Sequence, residues 1–145
     1  STLFPYTTLF RSSIIIFTHV PLIEPFPSEQ HKLINSYELK VLLHKYDNPI
    51  IVCSGHYHAT KIFQENNILY INTPSLVSYP NSFRIINICP HRNKVLVDLY
   101  FKETNLKSLQ TKAKNKGLGS NMLYGQETDR NNTFELPRKR DRHSI

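Results

Sequence analysis

Short apolar runs, separated by polar or proline-rich stretches, cover the first hundred residues of the chain. The run at residues 14–17 is β-branched and aromatic and ends just before His19, which predicts a strand buried on both faces beneath covering helices. Three prolines within residues 21–27 exclude a helix or a central strand, so a loop is expected there. A second apolar run, residues 50–53, predicts another short strand that also ends in polar residues.

The segment between these two strands has helical periodicity. Ser28 is placed to act as an N-cap, and the Asp-Asn-Pro turn at residues 47–49 stops the helix. Strand, loop, helix and strand in this order form a βαβ unit, and open α/β sheets place their sites at the carboxyl ends of such strands. The pattern predicts an amphipathic helix of about five turns. Its expected apolar face consists of Leu33, Ile34, Tyr37, Val41 and Leu42.

The pattern after residue 60 is that of antiparallel strands. Residues 61–64 and 68–72 flank Glu-Asn-Asn, which predicts a hairpin. Residues 83–88 and 94–102 predict two longer strands, residues 106–116 a weak helix, and residues 132–136 a last short strand. The chain is therefore expected to have an α/β fold, with the βαβ unit followed by an antiparallel β-meander.

Charge and composition narrow the possible functions. The formal net charge is +7, and the last third of the chain is rich in lysine and arginine. Such a run is typically a solvated basic extension. A nucleic-acid-binding arm is the alternative, but the run lacks the aromatic interleaving or fold motif that would support it.

The two cysteines and the lack of long apolar runs indicate the compartment. Cys53 and Cys89 each lie beside an apolar run and form no C-x-x-C motif, so both are expected to be buried free thiols in a reducing compartment. No apolar run has the ~18 residues that a membrane span needs, and the N-terminal residues do not have the pattern of a signal peptide. We therefore predict a cytoplasmic protein with no membrane contact.

Three histidines follow the two predicted parallel strands: His19, His56 and His58. Neighbouring parallel strands lie about 5 Å apart, so these side chains can converge at one edge of the sheet. Gly55 precedes the first histidine of the pair and allows a sharp bend or a positive φ there. Neutral imidazole is the commonest metal ligand in proteins, and histidines without nearby cysteine suit zinc, manganese or iron.

"IIIFTHVP", followed by "IIVCSGHYH" and by "INTPSLVSYPNSFRIINI", resembles the calcineurin-like metallophosphoesterases, in particular their cyclic-nucleotide phosphodiesterase-like branch. The resemblance covers about residues 13–88. It implies that His19 and His56 bind one divalent metal ion and that His58 binds a second. It also implies a four-layer αββα sandwich, of which this chain would be the C-terminal half, and hydrolysis of a phosphoester by a metal-bound water.

The motifs D-x-H, G-D-x-x-D and G-N-H of that family do not occur in this chain. In a complete member they precede the position of His19, so we expect the chain to be a C-terminal fragment. Residues 2–12 match, codon for codon, the in-frame translation of a common short-read sequencing adapter, and residues 1–12 are therefore expected to be an artefact. Residues 13–104 would form the partial phosphoesterase domain, and residues 105–145 a polar, basic and partly disordered extension.

Two classes of function follow from these expectations. The parent protein would be a metal-dependent phosphoric ester hydrolase with two divalent ions (Mn, Fe or Zn) and a small phosphodiester substrate resembling a cyclic nucleotide. The chain itself would be a non-catalytic fragment that binds at most one metal ion weakly, because three neutral ligands without a bridging carboxylate cannot hold two dications together. The sequence does not indicate an oligomeric state.

Overall fold

The computed structural model describes residues 13–28, 31, 33–116 and 120–138. The predicted adapter segment, residues 1–12, lies outside the described residues, as does the predicted first turn of the long helix at Glu29 and Gln30. The elements in chain order are β1 (Ile14–Thr18), α1 (Ser36–Leu43), β2 (Ile50–Ser54), β3 (Lys61–Glu65), β4 (Ile68–Asn72), β5 (Ser82–Pro90), β6 (Lys94–Glu103), α2 (Lys107–Lys116), α3 (Ser120–Tyr124), α4 (Glu127–Arg130) and β7 (Asn132–Pro137).

The first sheet has the strand order β1-β2-β4-β3. β1, β2 and β4 are parallel, and β3 runs antiparallel to β4 through a tight turn in which Asn66 has a φ of 53°. Every residue of β2 and β4 is buried, as expected for continuously apolar strands between two covered faces. The βαβ unit and the predicted hairpin are both confirmed.

The second sheet is the antiparallel arrangement β5-β6-β7, and it faces the first sheet. Alternate residues of β6 point inward, which gives this strand the period-two burial of a sheet with one covered face. The mixed α/β class and the antiparallel strands after the βαβ unit are thus confirmed, although the β3–β4 hairpin joins the first sheet. The core between the sheets consists of Ile51, Cys53, Ile62, Leu69 and Ile71 from the first and Val95, Val97, Leu99 and Leu136 from the second.

The outer face of the first sheet is covered by α1, which is shorter than predicted. It has eight residues instead of about five turns, and Ser28 is not part of it. The predicted apolar face is also wrong in part, because Ile34 is 97% exposed and Tyr37 75% exposed. Leu39 and Leu43 pack towards the sheet instead. Which residues of the helix face the sheet therefore depends on where the helix begins, and the apolar periodicity did not determine that position.

β1 lies at the edge of the first sheet, so the prediction of a strand buried on both faces is wrong. Among the described residues it pairs only with β2. Ile15 and Phe17 are exposed, whereas Ile14 and Ile16 pack against the core under α1. A run of β-branched residues does not distinguish a central strand from an edge strand, because the difference lies in the neighbours.

Two side chains of residues 120–137 are buried against the rest of the described chain. Leu136 of β7 is fully buried between the sheets, and Asp129 of α4 is 5% exposed. The Asp129 carboxylate accepts hydrogen bonds from Lys61 Nζ and from the Ile62 amide, both at 3.1 Å. The predicted domain boundary at residue 104 and the predicted partial disorder beyond it stay predictions. None of the described helices is both long and apolar enough to cross a bilayer.

Candidate metal-binding site

The carboxyl ends of β1 and β2 bring the first two predicted ligands together. Thr18 is paired with Ser54 in the parallel register, so the residues that follow, His19 and Gly55, leave the sheet side by side. The Gly55 amide donates to the His19 carbonyl oxygen at 3.2 Å, which extends the strand pairing by one step. The parallel register therefore determines the position of the candidate site.

The loop after β2 turns sharply at its histidines. His56 and His58 have φ values of 60° and 54°, in the left-handed region that non-glycine residues rarely adopt. The Tyr57 amide donates to the Gly55 carbonyl oxygen at 2.7 Å. The positive φ that we predicted for Gly55 occurs at the two histidines instead, and no atom lies within 4 Å of the position where a Cβ on Gly55 would be. Backbone strain of this kind is concentrated at functional sites in proteins.

His19 and His56 form a pair of imidazoles with their nitrogens in contact. His19 Nε2 lies 3.0 Å from His56 Nδ1, and the rings meet edge to face with centroids 4.9 Å apart. One nitrogen must carry the shared proton when both rings are neutral. Burial, followed by the nearby imidazoles of His19, His31 and His58, lowers the pKa of His56. This favours the neutral form of His56, which is the form in which imidazole binds a metal ion.

His58 does not join this pair. Its Nδ1 lies 2.8 Å from the Ser78 hydroxyl oxygen, and both groups are partly buried. Across the described ranges, no three side chains of His, Cys, Asp or Glu come close enough to hold a metal ion together. The pair of His19 and His56 fits two coordination positions of one divalent ion, whereas the described residues do not fit a two-metal centre.

A third histidine, His31, lies beside the pair and was not predicted. Its ring centroid is 5.0 Å from that of His56, and its carbonyl oxygen accepts a hydrogen bond from the Tyr57 hydroxyl at 3.3 Å. Tyr57 also packs edge to face against Phe26. The sequence pattern predicted that His31 lies inside the long helix. In the structure α1 begins at Ser36, five residues after His31, so His31 lies in the loop before the helix.

A cavity of about 490 Å³ opens beside the three predicted ligands and runs towards the space between the sheets. Burial raises the pKa of the Cys53 thiol in its wall to about 11, although the nearby Arg84 guanidinium acts in the opposite direction. Cys53 is therefore a buried thiol, as predicted, whereas Cys89 is exposed and the prediction for it is wrong. The cavity is lined by Phe17, Thr18, His19, Cys53, Ser54, Gly55, His56, His58, Thr73, Pro74, Ser75, Arg84 and Ile86.

No family model matches the chain, and no curated protein matches it. The solved structures that resemble it distantly include the following two. One is a conserved uncharacterized protein from Streptococcus pneumoniae, described as a predicted phosphoesterase, with 15% identity, a TM-score of 0.34, and coverage of 71% of this chain and 47% of that one. The other is a double mutant of Vps29 from Entamoeba histolytica, with 8% identity, a TM-score of 0.35, and coverage of 77% and 50%. The chain spans about half the length of each, and neither similarity identifies an activity for it.

Proposed function

We propose that this chain carries the histidine end of a metal-dependent phosphoric ester hydrolase of the calcineurin-like type. The contact of His19 Nε2 with His56 Nδ1 at 3.0 Å, at the carboxyl ends of two parallel strands, is the observation that carries the proposal. It supports the sequence-based prediction because the two histidines belong to motifs that lie 37 positions apart in the sequence.

The two histidines would hold one divalent ion through nitrogens that already face each other. When bound, the ion supplies Lewis-acid polarisation of a phosphate oxygen. The neighbouring imidazoles favour the neutral, metal-binding form of His56. Cys53 and Ile86 contribute apolar surface to the wall of the cavity.

The wider assignment extends the same proposal. It includes two divalent ions (Mn, Fe or Zn), a phosphodiester substrate similar to a cyclic nucleotide, His58 as a ligand of the second ion, and a cytoplasmic location. No catalytic step is assigned to a second ion, because His58 is hydrogen bonded to Ser78 and the described residues supply no group of three ligands. A chain with only these residues is expected to be inactive.

A second candidate follows from that geometry. The chain would then be a non-catalytic protein that binds one metal ion weakly through His19 and His56. The separation of His58 from the pair favours this candidate for the chain as given. Both candidate functions include the binding of one metal ion by His19 and His56, and only the first includes hydrolysis of a phosphoester.

Calorimetric titration of the full chain with Zn²⁺ tests the shared event. His19→Ala and His56→Ala should each weaken zinc binding about tenfold or more, because each removes one ligand of the pair. His91→Ala is the matched control, since His91 is exposed in the β5–β6 turn far along the chain from the pair. Equal zinc affinity in all four proteins would rule out the assignment of the pair.

Hydrolysis of bis-p-nitrophenyl phosphate with added Mn²⁺ separates the two candidates. We expect no turnover by the chain as given. Turnover that is abolished by His58→Ala would show instead that the described residues suffice for catalysis and would exclude the non-catalytic candidate.

A further inference from the structure

Arg84 is a cation on the inner side of the second sheet. In β5 it shares the inward-facing positions with Ile86 and Ile88, both of which pack against the apolar core between the sheets. Its side chain therefore projects into the space between the two sheets, where charged groups are rare unless they are paired.

The protein neutralises this charge only incompletely. The guanidinium donates to three backbone carbonyl oxygens, those of Asp129 at 2.7 Å, Arg130 at 3.3 Å and Asn72 at 3.4 Å. No carboxylate of the described ranges forms an ion pair with Arg84, and its Nε is buried without an acceptor. Carbonyl dipoles satisfy hydrogen bonds but carry no net charge.

The carboxylate that could compensate the charge is engaged elsewhere. The Asp129 side chain accepts from Lys61 Nζ, the Ile62 amide and the Gln126 amide, each at 3.1 Å. Burial lowers the pKa of Arg84 to about 10, despite the opposing effect of Asp129 and Cys53. The guanidinium remains charged at neutral pH, and its burial disfavours that charge unless an anion approaches.

The cavity gives an anion access to this side chain. Arg84 lines the same 490 Å³ cavity as His19, His56 and His58, and the volume is in the range of small-molecule sites. Thr73 and Ser75 in its wall bring hydroxyl groups that can donate to oxyanions. Arginine is a preferred side chain for phosphate recognition. Nη2 of Arg84 donates to two carbonyl oxygens and Nη1 to one, so the second Nη1 hydrogen is the donor that would contact a phosphate oxygen.

We propose that Arg84 forms an anion site in the cleft between the sheets that binds a phosphate group. The site works without a metal ion, because its charge comes from the guanidinium. That the bound group is the phosphate of a substrate rests on the proposed function, whereas the binding itself does not. Arg84 would then hold the non-reacting side of a phosphoester while the histidine pair faces the reacting side.

Calorimetric titration of the full chain with inorganic phosphate, in the presence of EDTA, tests the site. We expect saturable binding of one phosphate. Arg84→Met keeps the length and apolar character of the stem, and should weaken the apparent Kd about tenfold or more, as expected for loss of a charge-assisted contact. The matched control is Arg92→Met, since Arg92 is exposed in the β5–β6 turn, and phosphate binding should not change there.

Non-saturable binding, or equal loss in Arg84→Met and Arg92→Met, would overturn the proposal, because either result is what the net positive charge alone would produce. If Arg84→Met does not fold, side-chain ¹⁵N NMR of the unmodified chain replaces it. Phosphate should then shift the Arg84 resonances, assigned with Arg84→Lys, and leave those of Arg92 in place; unshifted Arg84 resonances would contradict the site. The zinc titration contains no phosphate, so failure there and failure here are distinguishable.

Discussion

Two regions of the molecule bury their apolar side chains to very different degrees. In the β1–α1 region, residues 14–46, apolar side chains such as Phe17, Ile34 and Tyr37 are 75–97% exposed. In the junction region, residues 60–65 and 120–137, Leu136 is fully buried and Asp129 is 5% exposed, although many of the polar side chains around them are exposed. An isolated hydrophobic side chain at the surface is ordinary, but a series of them on one helix and one strand is not.

The difference indicates which of the two regions contributes more to the stability of the chain. The junction region joins β3, β6, α4 and β7 through the core between the sheets and through the carboxylate of Asp129. The β1–α1 region holds the candidate ligand His19 but contributes only one strand at an edge and one short helix. The exposed apolar side chains at residues 15, 17, 37 and 41 all lie in the β1–α1 region.

Two alanine substitutions, one in each region, are expected to give the largest difference in the free energy of unfolding. Leu136→Ala removes a fully buried side chain from the core and should lower the free energy of unfolding by about 2–5 kcal/mol. Ile34→Ala removes a side chain that is 97% exposed and should change it by less than about 0.5 kcal/mol. Urea denaturation measures both. Similar losses in the two variants would mean that the segment just before α1 is as firmly packed as the junction.

Two glycines provide the next test. A Cβ on Gly125, where φ is 71°, would lie 2.2 Å from the Thr60 carbonyl oxygen, so Gly125→Ala should cost about 2–4 kcal/mol. Gly55, at the candidate site, has free space around it, so Gly55→Ala should cost less than about 0.5 kcal/mol. Urea denaturation again gives the comparison. A severe loss in Gly55→Ala would restore the special backbone role that the sequence suggested for it.

Strong local patterns explain what the sequence predicted correctly. The buried strand β2 and the hairpin β3–β4 are encoded in contiguous residues, and the strand β7 follows from the apolar positions in residues 132–136. The convergence of His19 with His56 also follows from local rules, because parallel strands end at one edge. These features needed no knowledge of which elements pack against each other.

The features that sequence reasoning missed all depend on tertiary neighbours. The edge position of β1 depends on the strands beside it, and the place of His31 depends on where α1 begins. Arg84 gave no local signal, because Phe83 and Ile85 make the opposite face of β5 equally apolar. Only the facing sheet determines that the arginine points inward.

Two carboxylates give the smallest and most specific comparison, because Glu65 binds side chains of the β1–α1 region and Glu103 binds Tyr124 of the junction region. Hydrogen bonds from Lys107 and Tyr124 lower the pKa of Glu103 to about 2. Partial burial acts to raise the pKa of Glu65, but hydrogen bonds from Lys40 and His44 outweigh it and lower the pKa. A carboxylate whose pKa is depressed in the folded state stabilises that state above the ordinary pKa of glutamate, 4.5. This stabilisation is lost as the pH falls towards the folded value.

Glu103→Gln and Glu65→Gln should therefore each lower stability at neutral pH by less than about 1 kcal/mol, since both pairs are partly exposed to solvent. The difference from the unmodified chain should shrink below pH 4.5, and for Glu103 it should vanish only near pH 2, the value of its folded pKa. Urea denaturation across this pH window measures the effect. A cost that stays constant with pH would show that the hydrogen-bond geometry, and not the charge of the carboxylate, stabilises that region.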